Sequence, residues 1–347
     1  MLDSANTAIN LFNIDRRIFV ERAPVKHQCS GDYFYGDNPD LEKALQFTES
    51  SYAAVLRDVL TPRFRLTNHH RDVLRHFWLL QYMRTEAASR RAVEMTAEAR
   101  SVIGVDGPEF NLSIREAVLI AMRTFVDVMH AVDDLRVCLL QNLTPVPFVT
   151  SDNPAVLSNR WHLEDARARW RSFGLHSAGD LLLLPLSPEA FFVGYDGDVY
   201  SIPDESGWDE VRNPADVEAL NQHQFLNCRA NIFVRDARHA GIVRDSYDRV
   251  AQLRPSARHR IHYAVRDAEE RDSIRYRVTD PFLEANRHQE AIIHTETVHA
   301  RPSAWPWRLR PRRNGVVFSN GTAAGYVRRA RVRLEGRSAF HQEAAWS

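Results

Sequence analysis

Two glutamates fall on the apolar face of a helix, and their placement constrains the fold more than any other feature of the chain. Asp40 reads as a helix N-cap, with Pro39 stopping the preceding segment and Glu42 and Lys43 in the first turn. From there to about Leu60 the apolar positions Leu41, Leu45, Tyr52, Leu56 and Val59 keep the three-and-four spacing of one buried stripe. Glu49 stands on that stripe between Leu45 and Tyr52, and Glu42 lies one heptad earlier on the same face. A carboxylate on a buried face needs a cation or a donor from the element packed against it. A second long helix, read from about Arg71 to Arg100, offers one, because its series Leu74, Phe77, Gln81, Arg84 steps by three and four. Glu49 and Arg84 are therefore expected to meet.

The other elements follow from local patterns. Residues 8–27 alternate as a hairpin around Asp15-Arg16-Arg17. A third helix starts at Ser113, with Glu116 completing a capping box, and is expected to run to about Asn142. Phe148 to Leu157 reads as a short buried strand entering an Asx-Pro turn, and Leu181 to Leu184 form an apolar run before Pro185 to Pro188. A hairpin is expected over Phe191 to Ile202, turning at Tyr195 to Asp198, then a helix over Pro214 to Asn231 and a strand over Ile232 to Val234. Ile261 to Val265 and Ser273 to Val278 read as a second hairpin. Helices and strands mixed without βαβ alternation predict an α+β fold, with long amphipathic helices on a small mixed or antiparallel sheet and a less regular C-terminal extension. The expected division is a main domain over 8–250, a small hairpin-containing appendage over 251–300, and a poorly ordered Arg-rich tail over 301–347.

Charge is balanced overall, Lys+Arg and Asp+Glu both standing at 45, so the whole molecule has no commitment to nucleic acid or anionic membrane. The balance is local, however: Arg301 to Arg337 hold ten arginines against the single acid Glu335. Only Lys26 and Lys43 are lysines, a bias that codon usage explains without a binding site. Cys29, Cys138 and Cys228 are too few and scattered for a disulfide framework or a Cys-based zinc site, which points to a reducing cytoplasm. The N-terminus has no basic start followed by an apolar run, so no signal peptide is expected. No stretch has the length of apolar residues that a membrane helix needs.

Six short motifs in order resemble those of a large bacterial family known only as a domain of unknown function. They are Gln28-Cys29, Tyr33 to Gly36, Leu41-Glu42 with Glu49, Leu80-Gln81 with Arg84-Thr85, Phe148 to Pro154, and Pro185 to Pro188. The resemblance spans residues 8–235. Members of that family open with His-x-x-Pro-x-x-Tyr-Leu-x-x-Phe before the region where this chain starts; the segment is absent here, either because the start is truncated or because this member works without that His. The resemblance implies the domain and the choice of residues, and no reaction.

Glu42, Glu49, Gln81 and Arg84 from two helices, with Asp152 from a strand end, make the first candidate site. Carboxylates converging on rigid elements can hold a divalent metal, with Glu42, Glu49 and Asp152 as ligands or base and Gln81 and Arg84 orienting them or a phosphate. That combination suits metal-assisted hydrolysis of a phosphoester in nucleic acid or nucleotide. The same residues suit a structural polar network that fixes helix register in a non-catalytic interaction protein. Asp127, His130 and Asp134 have helical spacing but read as a solvated face, and Ser187 lacks the context of a nucleophile. In the tail, Trp305, Trp307, Arg308, Arg310, Arg312 and Arg313 interleave aromatic and basic residues as single-strand binders do. A compositionally biased tail that binds a protein partner reads the same way.

Overall fold

In the computed structural model, residues 7–25, 39–61, 64–103, 111–168, 171–270, 273–280, 282–283, 290–322, 325–336 and 339–346 are described, with the backbone alone over 39–47 and at 270 and 273. The four-leucine run lies in β6 (Leu181–Ser187), inside a five-stranded sheet. Its neighbours, in spatial order, are β5 (Val156–Ser158) on one side and β7 (Ala190–Tyr195), β3 (Arg136–Asn142) and β9 (Trp208–Val211) on the other. All pairings are antiparallel except β3 with β9, so the sheet is mixed. Successive side chains of a strand point to opposite faces, and here both faces are covered. Leu182, Leu184, Leu139 and Phe192 enter one core, while Leu181, Leu183, Leu140 and Phe191 enter another.

The first core is capped by α1 (Pro39–Val59), α2 (Asn68–Arg84) and α4 (Ile114–Val128), through Val59, Trp78 and Phe125 among others. The second is covered by α6 (Pro214–Asn227) and by the C-terminal segment, through Leu220, Leu309, Val317 and Ala345. This gives the expected α+β architecture, and none of the helices among the described residues is long and apolar enough to cross a membrane.

The segment expected as a poorly ordered tail at 301–347 instead forms part of the sheet's cover. β14 (Arg310–Pro311) pairs with β8 (Tyr200–Ser201), and β15 (Val316–Ser319) pairs with β16 (Tyr326–Val327) and β17 (His341–Ala344). The Trp161 indole donates to the carbonyl of Ala345. Arg328, only 3% exposed and just ahead of α8 (Arg329–Glu335), pairs with Asp180 and, at 3.0 Å, with Asp134. The physical reason is the sheet itself: strands apolar on both faces need a second layer, and this segment helps to supply it.

Other boundaries differ from the sequence expectation. The second long helix breaks at Thr85, whose backbone is extended at φ −67° and ψ 150°, leaving α3 (Glu86–Ile103) as a separate helix. The third helix ends at Val128 rather than near Asn142, because Val137 to Leu140 are needed in the sheet centre as β3. β7 pairs with β6 and β3, and β8 leaves that sheet, so the hairpin expected over Phe191 to Ile202 does not form. The helix expected from Pro214 stops at Asn227, and α7 (Ala240–Val250) was not anticipated.

Two further sheets accompany the five-stranded one. The first hairpin, β1 (Ala8–Asn13) and β2 (Ile18–Pro24), joins β10 (Asn231–Val234) and β4 (Thr150–Ser151) in an antiparallel sheet of order β2-β1-β10-β4. After α7, β11 (His259–Glu270) is flanked by β12 (Ser273–Val278), as expected, and by β13 (Ala291–Thr297).

Candidate anion-binding cleft

Arg84 does donate to Glu49, joining α2 to α1. The Glu49 side chain is 45% exposed, so this pair lies at the rim of the helix contact and not in the core. Gln81 is half-buried one turn earlier on α2, and the side chain of Glu42 lies outside the described residues. Asp152 is used differently. Its carboxylate accepts hydrogen bonds from the backbone N–H groups of Arg229 at 2.7 Å and of Ala230 and Asn231, both at 2.8 Å. Burial pushes its pKa up, while these three donors and Arg254 act in the opposite direction. The carboxylate clasps the turn between α6 and β10. No group of three or more His, Cys, Asp or Glu among the described residues is placed to hold a metal ion.

Asp134 pairs with Arg328, and the end of α4 at Val128 prevents Asp127, His130 and Asp134 from forming one helical face. Ser187 donates to Glu189 at 3.0 Å in the β6–β7 turn. Of the C-terminal run, Arg308 pairs with the buried Asp209, Arg312 donates to the carbonyl of Gly197, and Trp305 packs against His223. Trp307, Arg310 and Arg313 remain at the surface, with the Arg310 guanidinium 5.2 Å from the Trp307 ring centre.

The neighbouring motif residues build one wall of a cavity of about 170 Å³. Asn153 and Asn227 bond reciprocally, each amide donating to the other's backbone carbonyl, at 3.3 and 2.7 Å. Thr85, at the break between α2 and α3, donates to the Asn153 side chain at 3.0 Å. Ser151 donates to Gln224 at 2.9 Å, and Gln224 donates to the carbonyl of Pro154 at 2.8 Å. The block Thr150 to Pro154 thus fixes the end of α6 and the turn that carries Arg229.

Arginines dominate the cavity's charge. Arg90, Arg91, Arg229, Arg254 and Arg258 line it, against Glu94 as the one acid among the described lining residues. Arg90 is paired with Glu86 at 2.6 Å. Arg91, Arg229, Arg254 and Arg258 have no carboxylate partner among the described residues. Arg254 and Arg258 are positioned by the C-terminal end of α6: Arg254 donates to the carbonyls of Phe225 at 2.6 Å and Cys228 at 3.0 Å, and Arg258 to those of Leu226 and Cys228 at 2.9 Å. Such carbonyls carry the negative end of the helix dipole and favour cations, but supply only about half an opposing charge. Burial first, and the neighbouring charges of Arg254 and Arg91, lower the pKa of Arg258, against opposing effects of Cys228 and Asp152. Arg91 lies with its guanidinium 5.9 Å from the Tyr82 ring centre, and Arg229 is exposed.

Two imidazoles also line the cavity. His223 is only 4% exposed, its Nε2 has no hydrogen-bond partner, and burial pushes its pKa down to about 4. His299 stacks on Phe173 at 3.7 Å, donates from Nε2 to the Phe173 carbonyl at 3.2 Å, and is likewise pushed down to about 4, chiefly by burial. Sequence reasoning missed this cluster because its arginines come from separate segments.

Fold and site together define an α+β domain with a cationic cleft between its helical layer and the segment that follows β10. The chain belongs to the DUF4238 family, described as proteins of unknown function, whose model covers residues 3–238. That span includes Arg90, Arg91, Asn153, His223 and Arg229, while Arg254, Arg258 and His299 follow it. No curated protein and no solved structure matches the chain.

Proposed function

We propose that this protein binds a phosphorylated ligand of the nucleotide or nucleic-acid class in the cleft. The observation that carries this reading is the convergence of Arg91, Arg229, Arg254 and Arg258 on one cavity without carboxylate partners among the described residues. Arg91, Arg254 and Arg258 are half-buried and Arg229 is exposed; guanidinium groups gathered on one cavity repel one another, and a phosphate relieves that repulsion while accepting charge-assisted hydrogen bonds in the planar geometry that arginine presents. Metal-assisted phosphoester hydrolysis, the reaction the carboxylates suggest, shares this ligand class. Binding is the better-supported reading, because Asp152 is engaged by three backbone donors and Glu49 by Arg84.

Thermal unfolding with pyrophosphate as the probe tests the proposal. At a hundredfold excess over the dissociation constant, a ligand of the native state stabilises it by about 2.7 kcal/mol. Wild type should show that shift, and an Arg91→Gln/Arg229→Gln double variant should lose most of it. Equal shifts in the two proteins, or none in wild type, would overturn the reading.

A further inference from the structure

Resting on that reading, we propose that Glu94 makes the cleft select a phosphate that still carries a proton, as in a phosphomonoester or the terminal phosphate of a nucleotide, and reject phosphodiesters and sulfate. Glu94 is the one acid among the described residues that line the cavity. It comes from α3, where Ala87, Arg90, Arg91 and Glu94 follow the three-and-four spacing of a single helix face and all line the cavity. Glu94 therefore stands about one turn, roughly 5.4 Å along the axis, beyond the two arginines.

A glutamate three and four residues after two arginines is placed to pair with either of them. Here both are engaged elsewhere. Arg90 bonds Glu86 at 2.6 Å, and the Arg91 guanidinium lies 5.9 Å from the Tyr82 ring centre. Glu94 is exposed and makes no ion pair or side-chain hydrogen bond among the described residues. Its carboxylate is thus open to whatever the arginines bind.

A carboxylate accepts hydrogen bonds and donates none. An anion held by Arg91 beside it must offer a donor or meet repulsion. A phosphomonoester has its second pKa at about 6, so near that pH it holds a P–OH that donates to Glu94 while its other oxygens accept from the arginines. A phosphodiester and sulfate carry no such proton, and both present only acceptors to the carboxylate. An ammonium group would also donate, but four guanidinium groups on the same cavity repel it.

Calorimetric titration of inorganic phosphate, sulfate and dimethyl phosphate into the full chain at pH 6 tests the proposal. Attraction to the arginines alone would rank sulfate first, because it carries the most charge. Wild type should instead bind phosphate at least about tenfold more tightly than either of the others, since like charges brought together in a site are strongly disfavoured. Glu94→Gln keeps the side chain's size, removes its charge and adds a donor, so sulfate affinity should rise at least about tenfold and the preference for phosphate should vanish. Phosphate binding no tighter than sulfate in wild type, or a preference that survives in Glu94→Gln, would overturn the role of Glu94 while leaving the anion site standing. Failure of all three anions to bind wild type would overturn both.

Discussion

Arg328 is buried and Arg91, Arg254 and Arg258 of the cleft are half-buried, but the protein answers their charges differently. Arg328 is met by Asp180 and Asp134 and also donates to the carbonyl of Ala131. Arg254 and Arg258 donate to carbonyls and a cysteine sulfur, with the Asp152 carboxylate acting on them electrostatically but in no ion pair with either among the described residues, and Arg91 faces an aromatic ring. One arginine thus locks the C-terminal segment onto the sheet, while the others leave positive potential directed into a cavity. The contrast shows that an arginine-rich composition separates into structural and ligand-seeking groups by what stands opposite each guanidinium.

Breaking the structural side should have the largest effect. Arg328→Met removes the partner of Asp180, which is fully buried, and uncompensated buried charge costs about 3 to 5 kcal/mol. Denaturant unfolding should register that loss, whereas a change below about 1 kcal/mol would show that the pair does not anchor the segment. Arg91→Gln, by contrast, should leave stability nearly unchanged, since it removes no carboxylate's partner.

The imidazole of His223 gives the next effect, read through pH. An unfolded His223 takes up its proton near 6.5, whereas the folded one does so near 4, so acidification through that window favours the unfolded chain. At about 1.4 kcal/mol per pH unit, the difference approaches about 3 kcal/mol. Relative to wild type, His223→Phe should therefore gain about that much stability as pH falls from 6.5 to 4. Comparing the two proteins cancels groups of opposite sign, such as Asp196, whose pKa burial pushes up to about 6 and whose contribution is lost as pH rises. Parallel pH profiles would contradict a buried, neutral His223.

Asp152→Asn sharpens the comparison from the side of the turn. The amide retains one acceptor oxygen but turns an NH₂ group toward backbone donors, leaving at least one N–H of residues 229–231 unsatisfied. We expect a loss of about 1 to 3 kcal/mol and weaker pyrophosphate binding through a displaced Arg229. Unchanged stability in urea unfolding would argue against the clasp. Glu49→Ala should matter least, at most about 1 kcal/mol, because its partly exposed pair is screened by solvent. A loss of several kcal/mol in the same assay would mean that this pair is buried after all.

These cases also show which physics the sequence carries. The Glu49–Arg84 contact is legible because helical spacing fixes which side chains share a face, but the same spacing does not tell rim from core. The Ser113 capping box is local and forms with Glu116 as read, the Ser113 hydroxyl accepting from the Glu116 N–H at 3.2 Å. Val137 to Leu140 are ambiguous, since a short apolar run suits a buried helix end as well as a central strand. Asp152 looks like a free ligand because its partners lie more than seventy residues away, where no local pattern reveals backbone donors. The cleft is the extreme case: Arg91, Arg229, Arg254 and Arg258 have no shared period, and only folding shows which of the many arginines lack an acid. One signal for the C-terminal segment was present, in that a continuous apolar strand requires cover on both faces.

The most direct test of the account is calorimetric titration of pyrophosphate into wild type and the Arg91→Gln/Arg229→Gln variant at low and high salt. Wild type should bind at one site per chain, with affinity that falls as salt screens the guanidinium charges, and the variant should bind at least about tenfold more weakly. Equal affinity in the two proteins, or no saturable binding to wild type, would contradict the claim that the unpaired arginines form an anion site.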